Sequence, residues 1–301
     1  MLRPVTAERA IGISSSPQRH GRGTVCPMDV RTASLALNTG ASIPQVGLGV
    51  WQAPRGTATR DAVATALRTG YRHIDTARVY GNEQDVGAGI AASGVPRSEV
   101  FVTTKLWNDD QGYDAARVAF DASLDRLGLD YIDLYLIHWP VPGKRLESWR
   151  ALERIFHDKR ARAIGVSNFM TRHLDELLAN ATVVPAVDQF ELSPFLQHRD
   201  TRATCAKHGI VVEAYSPLTR GKRLGHKTVV AIAKRIRKSP AQVLLRWGIQ
   251  QGVVILPKSV HESRILENAQ LFDFTLDDAT LRELDGLEEG LATGWDPRDE
   301  A

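Results

Sequence analysis

The 301-residue sequence predicts an α/β protein, a (β/α)8 TIM barrel with an N-terminal β-hairpin. Three observations predict it. Eight short apolar runs recur from Val46 onward, and amphipathic stretches of helical period separate them. The runs are apolar throughout instead of alternating, as parallel strands covered on both faces require. Single barrels of about 250 residues are common, so one domain accounts for the repeating part.

The chain opens on MLRPVTAERAIGISSSPQRHGRGTVCPMDV, rich in Arg, Ser, Gly and Pro, with acids only at Glu8 and Asp29. Residues 1–30 read as a flexible extension without an apolar face to bury, ahead of a barrel domain over 31–301. A transit peptide shares part of this composition, and Met28 offers an alternative start of translation. Next, SLALNTGASIPQ reads as a hairpin turning at Asn38, Thr39 and Gly40. The eight strand runs follow as VGLGV, RHIDT, VFVTTKLW, YIDLYLIHW, RAIGVSN, AVDQFEL, VVEAYS and VVILPKS. Between them lie helical stretches such as TATRDAVATALRTG, GYDAARVAFDASLDRLG, RLESWRALERIFHD, MTRHLDELLAN, RDTRATCAKHG and TVVAIAKRIRK, several closed by glycine. A doubly wound sheet is the competing architecture. The count of eight units argues against it, as does the lack of GxGxxG after the first run; Gly87, Gly89 and Ala92 fit loosely but fall inside a helical pattern.

A hydrophobic fraction of 43% and a charged fraction of 24% describe an ordinary globular protein. The net charge of +3 is small and its basic residues are scattered, so no nucleic-acid surface is expected and the partner is a small molecule. No run reaches the roughly 18 apolar residues of a membrane helix, and no signal-peptide core is present. Cys26 and Cys205 alone make neither a disulfide framework nor a four-ligand zinc site, so no metal is expected. The expected compartment is the cytoplasm.

Polar residues gather where the apolar runs stop. Asp75 closes the second run, Lys105 the third and His138 the fourth. Ser167 and Asn168 close the fifth, Gln189 lies in the sixth, Tyr215 closes the seventh and Lys258 follows the eighth. A barrel carries its active site at the C-terminal strand ends, so these residues would converge on one mouth. Taken singly, an Asp ending a strand is a turn residue and a His in an apolar run a core residue; their joint placement carries the argument. Asp75, Tyr80, Lys105 and His138 together suit carbonyl reduction. Lys105 would lower the phenol pKa of Tyr80, Asp75 would hold the lysine, and a neutral His138 would orient the carbonyl. In LPKSVHESRILENAQ, Lys258 and Ser259 precede a helix start and Arg264 offers a bidentate fork, a pattern suited to a 2′-phosphate. A solvated basic helix start gives the same pattern. Glu267 and Asn268 lie one turn on, within reach of an adenine.

Read together, GYRHIDTARVYGNE, TTKLWN, LDYIDLYLIHWP, IGVSNF and LPKSVHESRILEN resemble the aldo-keto reductases, particularly the bacterial 2,5-diketo-D-gluconate reductase branch, from about Ser34 to Asp296. The resemblance implies a monomeric NADPH-dependent (NADP+-forming) reductase of small carbonyl compounds, with Asp75, Tyr80, Lys105 and His138 as catalytic residues. It also implies that Ser167, Asn168 and Gln189 bond the nicotinamide carboxamide, that Tyr215 stacks on its ring, and that Ser216 and Leu218 contact the cofactor. Lys258, Ser259, Arg264, Glu267 and Asn268 would hold the adenosine phosphate end. Trp51, Trp107, His138 and Trp139 would line the substrate pocket. Asp188 departs from the family, where Asn is common beside the Gln, and so do LSP after Glu191, His261 and Glu262.

Other functions fit less well. A barrel glycosidase needs paired carboxylates, for which Glu191 and Glu213 are the candidates. A cofactor-sensing binding protein on the same barrel would not need all four catalytic residues. GVSNF lacks the last glycine of GxSxG, and HESRI lacks the second His of HExxH. Small aldehydes, 2-oxoaldehydes and diketo sugar acids are the expected substrate classes.

Overall fold

A computed structural model describes residues 29–300. Most of the extension lies outside the described residues, but Asp29 and Val30 do not behave as a tail. Asp29 closes a turn by accepting from the amides of Arg31 and Thr32, and Val30 is buried in the main core. At these two residues a single apolar side chain and one Asx turn suffice to dock the backbone.

The hairpin pairs β1 (Ser34–Ala36) with β2 (Ser42–Pro44), Leu35 opposite Ile43. Eight parallel strands follow: β3 (Leu48–Gly49), β4 (His73–Asp75), β5 (Phe101–Leu106), β6 (Ile132–Ile137), β7 (Ala161–Ser167), β8 (Val187–Glu191), β9 (Val211–Tyr215) and β10 (Val254–Leu256). Each pairs with its neighbour in chain order, and the bridges Val46↔Ile255 and Gly49↔Lys258 bring the first strand against the last. The expected barrel is the observed one.

The crossovers carry α1 (Thr57–Arg68), α2 (Glu83–Ser93), α3 (Tyr113–Leu127), α4 (Arg145–His157), α5 (Thr171–Leu178) and α6 (Arg199–Lys207). They continue with α7 (Lys227–Ile236), α8 (Pro240–Gln250), α9 (Glu262–Ala269) and α10 (Asp278–Asp285). In α3, Ala116, Phe120, Leu124 and Leu127 recur at helical spacing and are buried against the barrel. Burial of Phe120 and the two leucines contributes about 1.5 to 3 kcal/mol each. α7 and α8 share one crossover; Ser239 starts α8 through a capping box with Gln242 ahead of Pro240. Gly87 and Gly89 lie in α2, as their helical context required. A Cβ on Gly89 would stand 2.7 Å from the Arg60 carbonyl oxygen, so this glycine sets the approach of α2 to α1.

Strand alternation divides the side chains. Val102, Tyr135, Ile164, Phe190 and Ile255 face the helices. Phe101, Leu134, Leu136, Ala163, Val187 and Val254 face the axis, where Leu37 and Ile43 of the hairpin region close the N-terminal end. In β4, β5, β8 and β9 the same inward register continues toward the C-terminal end with His73, Asp75, Thr103, Lys105, Gln189 and Glu213.

Candidate active site

Lys105 is fully buried, and a buried ammonium needs partners. Its Nζ donates to Asp75 Oδ1 at 2.8 Å and Oδ2 at 2.7 Å, and to the Thr76 carbonyl at 2.9 Å. The Tyr80 phenol oxygen lies 3.4 Å away. An ammonium only donates, so toward Lys105 the phenol oxygen can only accept, which leaves the phenol hydrogen to point elsewhere. The ring of His138 meets that of Tyr80 edge-on with centroids 5.8 Å apart. The four residues predicted as a catalytic set thus come together from β4, the following turn, β5 and the end of β6.

Two neighbouring polar residues fix the turn that presents Tyr80. Asn82 accepts from the Thr76 hydroxyl at 2.8 Å and donates to the Val50 carbonyl at 3.0 Å. Glu83, buried at the start of α2, accepts from Thr104 at 2.6 Å and from Arg126 at 2.5 Å. Both stand in GYRHIDTARVYGNE, but only the folded chain shows that they hold the loop.

The electrostatics differ from the sequence expectation in one respect. Lys105 was expected to draw the Tyr80 phenol down. Instead burial, then the charges of Asp75 and Glu213, holds it well above 10, so the phenol stays protonated. His138 is held well below 6.5 by burial and by the charge of Lys105, which keeps the imidazole neutral as expected.

A second polar layer lies below the first. Gln189 Nε2 donates to Asp75 Oδ2 at 2.9 Å and to Glu213 Oε2 at 2.6 Å. His73 Nε2 lies 3.6 Å from Glu213 Oε1 and 3.0 Å from the Thr103 hydroxyl. Burial and Lys105 lower the His73 pKa to about 3, while burial and the charge of Asp75 raise Glu213 to about 8. At neutral pH this pair is uncharged. Gly47 makes room for the imidazole: a Cβ there would sit 2.8 Å from His73 Nδ1.

The residues assigned to the nicotinamide are knitted together. Ser167 Oγ donates to the Gln189 carbonyl at 2.8 Å and accepts from Asn168 Nδ2 at 3.1 Å. Asn168 also donates to the His138 carbonyl at 3.0 Å and accepts from the Tyr215 hydroxyl at 2.9 Å. Asn168 and Ser216 take left-handed backbone, φ 64° and 49°, an arrangement that costs about 1 to 3 kcal/mol each and persists where surroundings impose it. Leu218 precedes a tight turn in which Thr219 and Arg220 are also left-handed.

The residues expected at the phosphate end sit on the same rim. Gly49 pairs with Asp75 on one side and bridges to Lys258 on the other. Lys258 and Arg264 are exposed at the start of α9, whose N-terminus has no side-chain cap, while Glu267 is half-buried and Asn268 buried. This donor set of two cations and open helix amides fits an organic phosphate. Ser259 makes a local turn with His261.

Tryptophans surround the mouth. Trp107 meets His138 edge-on at 5.3 Å, and Trp51 is covered by the Arg220 guanidinium at 4.3 Å. Trp139 meets Trp295 at 5.6 Å; Trp295, not foreseen in the sequence, is 67% exposed. Glu191 brings it there, accepting from the Thr293 amide and hydroxyl and the Gly294 amide. Glu191 and Glu213, the carboxylates considered for a glycosidase, are both buried and engaged inside the protein. Asp188 faces α6, where Cys205 Sγ lies 3.9 Å from its Oδ2, and burial pushes its carboxyl well above the usual carboxylate range. Among the described residues no helix is long and apolar enough to cross a membrane.

The Aldo/keto reductase family profile matches residues 45–289. An aldo-keto reductase of Mycobacterium sp. (strain KMS) is 52% identical over 266 residues, covering 88% of this chain and 96% of that protein. Glyoxal reductase of Bacillus subtilis (strain 168) is 47% identical over 264 residues, with coverage of 88% and 96%. The crystal structure of an aldo/keto reductase from Brucella melitensis superposes with a TM-score of 0.82 at 47% identity, covering 85% of this chain and 99% of that one. A variant of Gox0644 in complex with NADPH gives a TM-score of 0.85 at 39% identity, covering 89% and 98%. Profile, sequence and fold agree over the whole barrel, and the chain belongs to the aldo/keto reductase family.

Proposed function

We propose that the protein reduces aldehydes and ketones to alcohols with NADPH, Tyr80 giving the proton. The observation that carries this reading is the buried Lys105, bound by both oxygens of Asp75 and 3.4 Å from the Tyr80 phenol oxygen. When bound, NADPH supplies the hydride to the carbonyl carbon. Tyr80 then yields its free hydrogen to the carbonyl oxygen, and the adjacent Lys105 charge offsets the phenolate that remains. His138, neutral, orients the same oxygen. Both Nε2 hydrogens of Gln189 are engaged within the protein, so toward a nicotinamide carboxamide it offers Oε1 as an acceptor. Ser167, Asn168 and Tyr215 flank it, while Lys258, Ser259, Arg264, Glu267 and Asn268 hold the adenosine phosphate end.

Aromatic walls from Trp51, Trp107 and Trp139 suit small aldehydes, 2-oxoaldehydes or diketo sugar acids. The likeness to a glyoxal reductase supports the second class. A cytoplasmic monomer is the expected setting. The test is NADPH oxidation against a panel of these carbonyls, beside NADH, with the Arg264→Ala variant in parallel. Turnover with NADPH preferred is expected, and the variant should lose at least about tenfold in NADPH affinity while NADH is unchanged, since charged hydrogen bonds contribute about 1.5 to 3 kcal/mol. Equal affinity for both cofactors in the unaltered chain would remove the phosphate assignment. Cofactor binding without turnover of any carbonyl would favour a sensing protein.

A further inference from the structure

The layer beneath the catalytic residues contains an acid that the reaction, as derived so far, does not use. Glu213 points into the barrel axis from β9 and is fully buried. One amide group, Gln189 Nε2, spans 2.6 Å to Glu213 and 2.9 Å to Asp75, so two carboxyl groups share a single pair of hydrogens. Asp75 in turn holds Lys105, and Lys105 reaches Tyr80. The groups facing Glu213 are His73 and Asp75 from β4, Lys105 from β5, Tyr80 from the turn after β4, and the uncharged Gln189 from β8. Its register partner on β10 is Val254, whose side chain offers no polar atom.

We infer that Glu213 is a positioning residue for this centre: through the shared Gln189 amide it sets the seat of Asp75, and its own charge state governs how readily Tyr80 yields its proton. The inference rests on Tyr80 being the acid. A neutral Glu213 accepts from Gln189 and leaves Asp75 as the one anion beside Lys105. An ionised Glu213 places a second negative charge within the same dry cluster. That charge holds the phenol proton more tightly and opposes the phenolate left after transfer. Burial and Asp75 together place this change near pH 8, just above neutrality. His73, uncharged in this range and 3.6 Å away, provides no cation to offset it.

The experiment follows kcat for aldehyde reduction at saturating NADPH across pH 6 to 10, together with infrared difference spectra of the buried carboxyl band in the unaltered protein. Asp188, buried beside α6, contributes its own component to that band. The Glu213 component is expected to be present at neutral pH and to fade near pH 8, and kcat should begin to fall at the same pH. In Glu213→Gln, which keeps the acceptor but cannot ionise, the fading component should be missing and the fall of kcat between pH 7 and 9 should be about fivefold smaller. Identical pH profiles for the two proteins would overturn the inference, and so would a kcat that falls while no component of the band fades. The infrared arm needs no variant, so a Glu213→Gln chain that does not fold still leaves a decision. Tyr80→Phe separates the two layers of argument: if it turned over normally the acid would be misassigned, whereas a carboxyl band with no component that fades above pH 7 would refute Glu213 alone.

Discussion

The two ends of the barrel axis are built from the same alternating strand positions and filled in opposite ways. At the N-terminal end, Leu37, Ile43, Phe101, Leu134 and Val187 interlock without a polar side-chain atom. At the C-terminal end, the inward positions of β4, β5, β8 and β9 carry Asp75, Lys105, Gln189 and Glu213, all buried. The first arrangement lowers the free energy of the folded chain by removing apolar surface from water. The second raises it, because charged and polar groups lose hydration and recover it only through one another. A barrel can carry such a layer because the opposite end and the outer shell of helices hold the strands in register. Backbone strain follows the same division: among the non-glycine residues at positive φ, Asn168, Ser216, Thr219 and Arg220 lie on the C-terminal rim.

The comparison would break most visibly at Tyr80. Replacing it with Phe keeps the ring against His138 and removes the phenol. kcat should fall by about 10² to 10⁴ while NADPH affinity and the thermal midpoint hold. Stopped-flow turnover, with cofactor binding followed by fluorescence, checks both. A variant retaining more than about a tenth of kcat would give the role of acid to His138, despite the burial that keeps that imidazole neutral.

The opposite end should give the converse result. Ile43 is fully buried in the plug, and Ile43→Ala leaves a cavity with no polar group to admit water. Unfolding in denaturant should show a loss of about 2 to 5 kcal/mol, with kcat of the folded variant unchanged within about twofold. An equal loss of stability and kcat would mean that the two ends are mechanically coupled.

How much of this was legible in the sequence depends on which end is considered. The eight strands announce themselves because buried parallel strands are apolar throughout, and the catalytic set because polar residues stop those runs at one end. The Gln189 bridge is not legible: β8 carries Asp188, Gln189 and Glu191 and β9 carries Glu213, and only the register sets Gln189 opposite Glu213 with Asp75 on the same amide. Nor are Asn168 and Ser216 marked by glycine: Asn tolerates left-handed backbone better than other side chains, and bonds from Asn168 to the Gln189 and His138 carbonyls reinforce it. Val30 was hidden by the polar composition around it. Asn82 and Glu83 stood in the quoted motif, yet their work on the Tyr80 turn depends on Val50, Thr104 and Arg126, each distant in sequence.

The smallest expected effect tests the rim. Trp295 lies far from any strand run, so its place beside Trp139 arises from the grip of Glu191 on Thr293 and Gly294. Its ring meets Trp139 edge-on yet remains largely exposed, so little stability depends on it. A large carbonyl compound reaching past Trp139 would cover part of that exposed face, and about 40 to 50 Å² of apolar contact at roughly 25 cal/mol per Å² corresponds to about 1 kcal/mol, or about fivefold in affinity. A small aldehyde held against His138 and Tyr80 would not reach it. Trp295→Ala should therefore raise KM about three- to tenfold for bulky aromatic aldehydes and leave kcat unaltered for both classes, since the reacting atoms are untouched. Steady-state kinetics with one aldehyde of each size decides it. Equal KM changes for both would place Trp295 in the support of the pocket instead of its outer wall, and a fall in kcat would show that the C-terminal segment reaches the chemistry itself.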